Sequence, residues 1–245
     1  MITGFSSSMK NIGQINNKGV EIELGSDIIK NEDWKWTLSV NASHINSKVI
    51  ALNDGEDIIW NDPTGGDTRA RYIYREGEST LAFYGLEWAG TDQTNGKNMW
   101  FLNDPEAGDG DFLVDGRAAS YDYTLAQRTI IGNGTPKLYG GINSTVDYKD
   151  FSLGLNFIYR LGGDIYDSAS KDVADDGYYW ERIHSQYFVD NTWSPQNPTG
   201  SLPMVSGRDM EDVNQISSRH LNSGSFLRLK NISLTYNIPS HVTER

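Results

Sequence analysis

An all-β chain of about five long antiparallel strands, joined alternately by short turns and very long loops, is what this sequence predicts. Three observations carry the prediction. Apolar and polar residues alternate with a period of two over runs of ten residues, whereas helical periodicity is weak throughout. The alternating runs are far longer than the roughly 5–6 residues usual for strands of globular proteins. The connections also fall into two classes, two turns of about four residues and two loops spanning about residues 51–135 and 169–222. Loops beyond about 12–15 residues are uncommon in compact domains.

The first strand, about residues 16–29, contains Lys18-Gly-Val-Glu-Ile-Glu-Leu-Gly25, with Val20, Ile22 and Leu24 on one face and Glu21 and Glu23 on the other. The polar link Lys30-Asn-Glu-Asp33 turns the chain into the second strand, about 34–50. There Trp34, Trp36, Leu38, Val40 and Ala42 oppose Lys35, Thr37, Ser39, Asn41 and Ser43. After the first long loop a second hairpin forms from about 136–148 and 151–168. Leu138, Ile142 and Val146 share a face, Tyr148-Lys-Asp-Phe151 makes the turn, and Phe151, Leu153, Leu155, Phe157 and Tyr159 continue the apolar side. The fifth strand, about 223–237, sets Ile232, Leu234 and Tyr236 against Asn231, Ser233 and Thr235.

Alternation alone fits two architectures. A soluble sandwich packs its apolar faces inward, whereas an outer-membrane barrel turns them to lipid. Strand length, short turns alternating with long loops, and aromatics beside the short turns (Trp34, Trp36, Tyr148, Phe151) favour a partial transmembrane antiparallel β-barrel with two long extracellular loops.

Composition narrows the function. The 245 residues carry 21 Lys+Arg against 33 Asp+Glu, a formal charge of −12, which argues against a nucleic-acid partner. The acidity is concentrated in the loops: residues 51–135 carry −9 and residues 169–222 carry −4. With no Cys, disulfides and thiolate chemistry are excluded. No apolar run reaches the roughly 20 residues of a spanning helix, and Met1 is followed by no apolar signal-peptide core.

Several blocks have specific wording. Asn11-Ile-Gly-Gln-Ile-Asn-Asn-Lys-Gly-Val-Glu-Ile-Glu-Leu24, Phe83-Tyr-Gly-Leu-Glu-Trp-Ala-Gly-Thr-Asp-Gln-Thr-Asn-Gly96 and Ile131-Gly-Asn-Gly-Thr-Pro-Lys-Leu-Tyr-Gly-Gly-Ile-Asn143 are three of them. Tyr159-Arg-Leu-Gly-Gly-Asp-Ile-Tyr-Asp167, Asn191-Thr-Trp-Ser-Pro-Gln-Asn-Pro198 and Gly224-Ser-Phe-Leu-Arg-Leu-Lys-Asn-Ile-Ser-Leu-Thr-Tyr236 are three more. Together, and in this order, they resemble the barrel of SusC/RagA-type TonB-linked outer-membrane transporters. The resemblance implies a late, C-terminal piece of a 22-stranded barrel, located in the outer membrane, with the plug domain and the final strands absent. It implies import of oligosaccharides or peptides together with a SusD-like surface lipoprotein, and coupling to the TonB complex through the missing N-terminal part. It implies no enzymatic activity and no cofactor. The family's EF-hand-like calcium loop is not matched: Asp109, Asp111 and Asp115 lack the required spacing, so residues 104–116 read as a solvated acidic turn.

Chemistry is otherwise sparse. His44, His184, His220 and His241 are scattered without ligand spacing, and no nucleophile elbow or phosphate loop occurs. The loop aromatics are more informative, because flat rings among Asp, Asn and Arg suit sugar stacking and hydroxyl bonding. Trp88, Trp100, Tyr178, Tyr179, Trp180 and Trp193 are the candidate ligand-binding residues. The competing reading of each ring is the small core that a long loop needs. A soluble β-sandwich carbohydrate-binding module is the alternative function, and an enzyme of glycan breakdown is a third.

Overall fold

The computed structural model describes residues 11–61, 71–104, 110–174, 177, 182–206 and 215–239. It forms two compact units. The first is an open five-stranded sheet of β1 (Gly13–Lys30), β2 (Trp34–Leu52), β11 (Leu138–Tyr148), β12 (Phe151–Leu161) and β15 (Phe226–Tyr236), adjacent in that order. β2, β11, β12 and β15 pair antiparallel throughout. The sheet ends at β1 and β15 and does not close into a barrel.

Short turns fix the register. Asn31 bends the first hairpin by accepting the backbone N–H groups of Asp33 (3.1 Å) and Trp34 (2.8 Å) on its side-chain oxygen. Lys149 makes the second, in the left-handed region at φ 50°. β12 stops at Leu161 rather than reaching residue 168. Gly162 and Gly163, with φ of 71° and 74°, break the extended backbone there. Beyond them the short strand β13 (Asp164–Tyr166) pairs with β14 (Leu221–Ser223) instead.

Register places matching chemistry in rows across the sheet. On one face Trp36, Val146, Leu153 and Leu234 align, then Leu38, Ser144, Leu155 and Ile232, then Val40, Ile142, Phe157 and Leu229. The row nearest the short turns is aromatic: Trp34, Tyr148, Phe151 and Tyr236. Its rings touch in pairs, with centroids 4.3 Å apart for Trp34–Tyr148 and 4.7 Å for Phe151–Tyr236. Ser144, the polar residue of this face, accepts the Trp36 indole N–H at 3.0 Å. The opposite face is polar, with Ser39, Asn143, Asn156 and Asn231 in one row and the Asn156 amide donating to Asn143.

Among the described residues, Val49 near the end of β2, where the strand passes into the other unit, is the one buried apolar residue of this sheet. Its apolar side chains stand open, with Leu234 73% and Leu24 70% exposed. A sheet with an apolar face and no core lacks the ordinary source of stability in water.

The second unit contains Lys48–Gly134 and Ile165–Asn222, so the two expected loops fold together. They are also not irregular. One sheet orders β10 (Thr129–Asn133), β5 (Ala82–Gly85), β4 (Arg71–Tyr74) and β3 (Ile58–Asn61). Another orders β6 (Trp88–Thr91), β7 (Asn98–Phe101), β9 (Arg117–Ser120) and β8 (Phe112–Val114). The core is Leu86, Trp100, Leu102 and Ala126, with Trp88, Ala118 and Tyr123 packed on it. Backbone bonds join the two segments: Leu86 N–H donates to the Ile216 carbonyl (2.8 Å), Ser218 N–H to Leu86 (3.0 Å) and Met204 N–H to Gly96 (2.8 Å). Gly85 permits this approach, since a Cβ there would sit 2.6 Å from the Ile216 oxygen. Two short helices, α1 (Ser168–Val173) and α2 (Gln186–Asn191), are capped by the side chains of Asp167 and Ser185.

Candidate functional site

The candidate rings are not gathered into one site. Trp100 was expected to face ligand, but it is 1% exposed and belongs to the core, because β7 lies between β6 and β9. Trp88 is half-buried against the same core and donates its indole N–H to Asn98 (2.9 Å). Trp193 donates to the Gln93 carbonyl (3.0 Å) and covers Gly96, where any Cβ would strike its ring. Trp88, whose backbone N–H donates to the Ser218 hydroxyl at 3.0 Å, and Trp193 link the two segments of the unit, while Trp100 packs within the first. Tyr178, Tyr179 and Trp180 lie outside the described residues. Of the acidic turn, Asp109 is outside them too. Asp111 accepts the Ser120 hydroxyl at 2.6 Å, and Asp115-Gly116, both at positive φ, turns the β8–β9 hairpin. Among the described residues no cluster of His, Asp and Glu is placed to hold a metal ion.

A cleft of about 300 Å³ forms instead in the second unit. Asp167 and Ser170 at the start of α1, Tyr187 of α2, and Arg219, His220 and Asn222 contribute its polar wall, with Val173 and Leu202 on the apolar side. Local structure sets each group. The Asp167 side chain accepts the Ser170 N–H at 2.9 Å, and the Asp167 N–H donates to the His220 carbonyl at 2.8 Å. His220 ends a chain of ring contacts running from Trp60 through Tyr72, Phe83 and Tyr166, with successive centroids 5.7, 5.0, 6.2 and 6.1 Å apart. Arg219 donates to the Ala174 carbonyl (3.3 Å) and lies over the Trp88 ring, 5.6 Å from its centroid.

Electrostatics here are unusual for so acidic a chain. His220 is 4% exposed, and burial, reinforced by Arg219 and Lys171, pushes its imidazole down to about 3. It is neutral at any ordinary pH. Lys171, 1% exposed on α1, is pushed down to about 8, first by burial. Asp172 opposes that shift, and Arg182 adds to it. Burial also raises the Tyr166 hydroxyl above its usual range. A lysine lowered in this way penalises the fold below pH 8, and the penalty lifts as pH rises from 8 towards the unfolded value of 10.5. Lys171→Met is therefore expected to raise stability at pH 7 by about 1–3 kcal/mol. In melting curves that gain should fade above pH 8; a gain independent of pH would contradict this account.

Sequence reasoning did not find this cleft. Its residues come from positions 167–222 in separate segments, and His220 was set aside for lacking ligand spacing.

Comparison with known proteins gives a consistent result. No family model matches the chain. TonB-dependent receptor P3 of Formosa agariphila is 33% identical over 241 residues, which is 97% of this chain and 23% of that protein. TonB-dependent receptor SusC of Bacteroides thetaiotaomicron is 22% identical over 96% of this chain and 22% of its own length. The structure of the RagAB peptide transporter superposes with a TM-score of 0.77 and 26% identity, covering 100% of this chain and 25% of the matched one. The chain thus spans about a quarter of the length of the relatives it matches. It is a distant homologue of SusC/RagA-type TonB-dependent receptors over that quarter. Such receptors are outer-membrane proteins and not enzymes.

Proposed function

We propose that this chain supplies five neighbouring strands of the wall of a 22-stranded TonB-dependent transporter, together with an external unit that meets cargo. The cargo is an oligosaccharide or a peptide; the match to a peptide transporter supports the second. A SusD-like lipoprotein closes over the external unit, and the TonB complex acts on other parts of the transporter. Binding energy and gated access do the work, with no covalent step.

The observation that carries this reading is the exposed apolar face of the sheet. From the Tyr148 row to the Leu138–Leu161 row is ten residues, or about 33 Å at roughly 3.3 Å each. Tilted by about 40°, that length spans roughly 25 Å, the height of the apolar band of an outer-membrane barrel. The four-ring row at the turn end matches an aromatic girdle, and the Asn and Ser rows of the other face match a wet lumen. A sandwich would instead bury the apolar face against a second sheet.

Arginine on the two faces separates these readings. Leu155→Arg, mid-way along the apolar face, is expected to lose about 2–4 kcal/mol in guanidinium unfolding from lipid vesicles. Asn156→Arg, one residue along and on the polar face, is expected to lose less than about 1 kcal/mol. Equal losses would sink the transmembrane reading.

A further inference from the structure

We propose that the cleft of the second unit is a subsite for one uncharged sugar ring, with His220, Asn222 and Asp167 as its hydrogen-bond partners and Tyr187 as its stacking face. The proposal rests on the transporter reading and selects the sugar among its cargoes.

The cleft holds hydrogen-bonding groups that the fold itself leaves unused. Its volume of about 300 Å³ lies at the small end of ligand sites, which run from about 300 to 1,000 Å³, the scale of one ring rather than a chain. His220 lines it while 4% exposed, and neither ring nitrogen has a hydrogen-bond partner among the described residues. A buried imidazole without partners is costly unless something else bonds to it. Being neutral, it offers one donor and one acceptor. The Asn222 amide of β14 lines the same space, makes no side-chain bond among the described residues, and adds both kinds of group. Asp167 accepts the Ser170 N–H on Oδ1, while its Oδ2 bonds nothing among the described residues.

This set answers to hydroxyls. A hydroxyl donates and accepts at once, so neighbouring hydroxyls of one ring can satisfy an imidazole, a carboxamide and a carboxylate oxygen together. A carboxylate ligand would meet Asp167 as a like charge. A trans peptide unit carries one donor and one acceptor pointing to opposite sides, and answers the three groups only in part. Tyr187, 63% exposed, offers a flat face on which the C–H side of a sugar can stack, and Val173 and Leu202 supply apolar wall. Arg219 also lines the cleft, with its guanidinium engaged by the Ala174 carbonyl and the Trp88 ring.

The test is calorimetric titration of the native outer-membrane protein that contains this chain, in a detergent without a sugar headgroup. The probes are maltose, lactose, mannobiose and a tetrapeptide blocked at both ends. At least one disaccharide is expected to bind with a Kd of about 1 mM or tighter. His220→Leu should weaken that binding by at least about tenfold, and Asn222→Ala and Tyr187→Ala by about fivefold each. Asn222 and Tyr187 are exposed, so losses in those two variants cannot be blamed on unfolding. Binding of no disaccharide, disaccharide binding that survives all three substitutions, or a blocked peptide that binds as well and answers to the same substitutions overturns the subsite. Recovery of the protein from the outer-membrane fraction, and the Leu155→Arg comparison, test the transporter reading separately on the same preparation.

Discussion

Trp100→Ala is expected to destabilise the second unit by about 3–5 kcal/mol, the range for truncating a large buried aromatic. Three features place it at the upper part of that range. The side chain is 1% exposed, so nearly all its apolar area returns to water on unfolding. β7 is held on both sides, with Trp100 opposite Trp88 on β6 and opposite Ser120 on β9, so the strands cannot slide inward to close the void. Leu86, Leu102 and Ala126, the other core members, come from three different segments and would all lose contacts. Hydrogen exchange resolves this loss locally: amides of β6, β7 and β9 should exchange faster while those of β11 and β12 do not. Trp60→Ala, at an exposed ring of β3, should cost less than about 1 kcal/mol. A loss below about 1 kcal/mol for Trp100→Ala would show that the core lies elsewhere.

Acid is expected to destabilise the same unit through His220. Its folded-state value is about 3 against an unfolded value of 6.5, so between those limits the unfolded chain takes up a proton that the folded one refuses. Stability is therefore unaffected above pH 6.5 and falls as pH drops below it. The loss should be on the order of 2–3 kcal/mol by pH 4.5. That window sits above the range of Glu87 and Asp92, which Arg117 and a set of hydrogen-bonding neighbours hold below their ordinary carboxylate values. In His220→Leu the slope between pH 6.5 and 4.5 should vanish. If the variant keeps the wild-type slope, the buried imidazole is not its source.

The strands were legible because each answers to a local rule. Ten residues from Trp34 to Ser43 alternate without a fault, and a face that must be uniform along its length writes itself into the sequence. The break at Gly162-Gly163 was legible as glycine but not as a boundary, because Ile165 keeps the odd-numbered apolar register of Phe151 to Leu161 while lying in a different sheet. The interior of the loops was hidden for another reason. Strands of three to five residues show too little period, and their partners are remote: Trp193 answers to Gln93, and Leu86 to Ile216. Trp100 was misjudged from its polar surroundings, although the run Asn98-Met-Trp-Phe-Leu102 already carried the apolar density of a core strand. The cleft had no local signature at all, since burial turns His220 into something its residue type does not announce.

The absence of a core in the five-stranded sheet also dictates an order of events. The second unit can reach its minimum in water, because Trp100 and its neighbours cover one another. On the transporter reading the sheet cannot: until hydrocarbon takes up Ile232 and Leu234, those rows are an invitation to aggregate. On that reading the strands need an escort across the aqueous compartment before they reach the bilayer. They would zip together during insertion, and the bilayer is for them a folding partner as well as a destination.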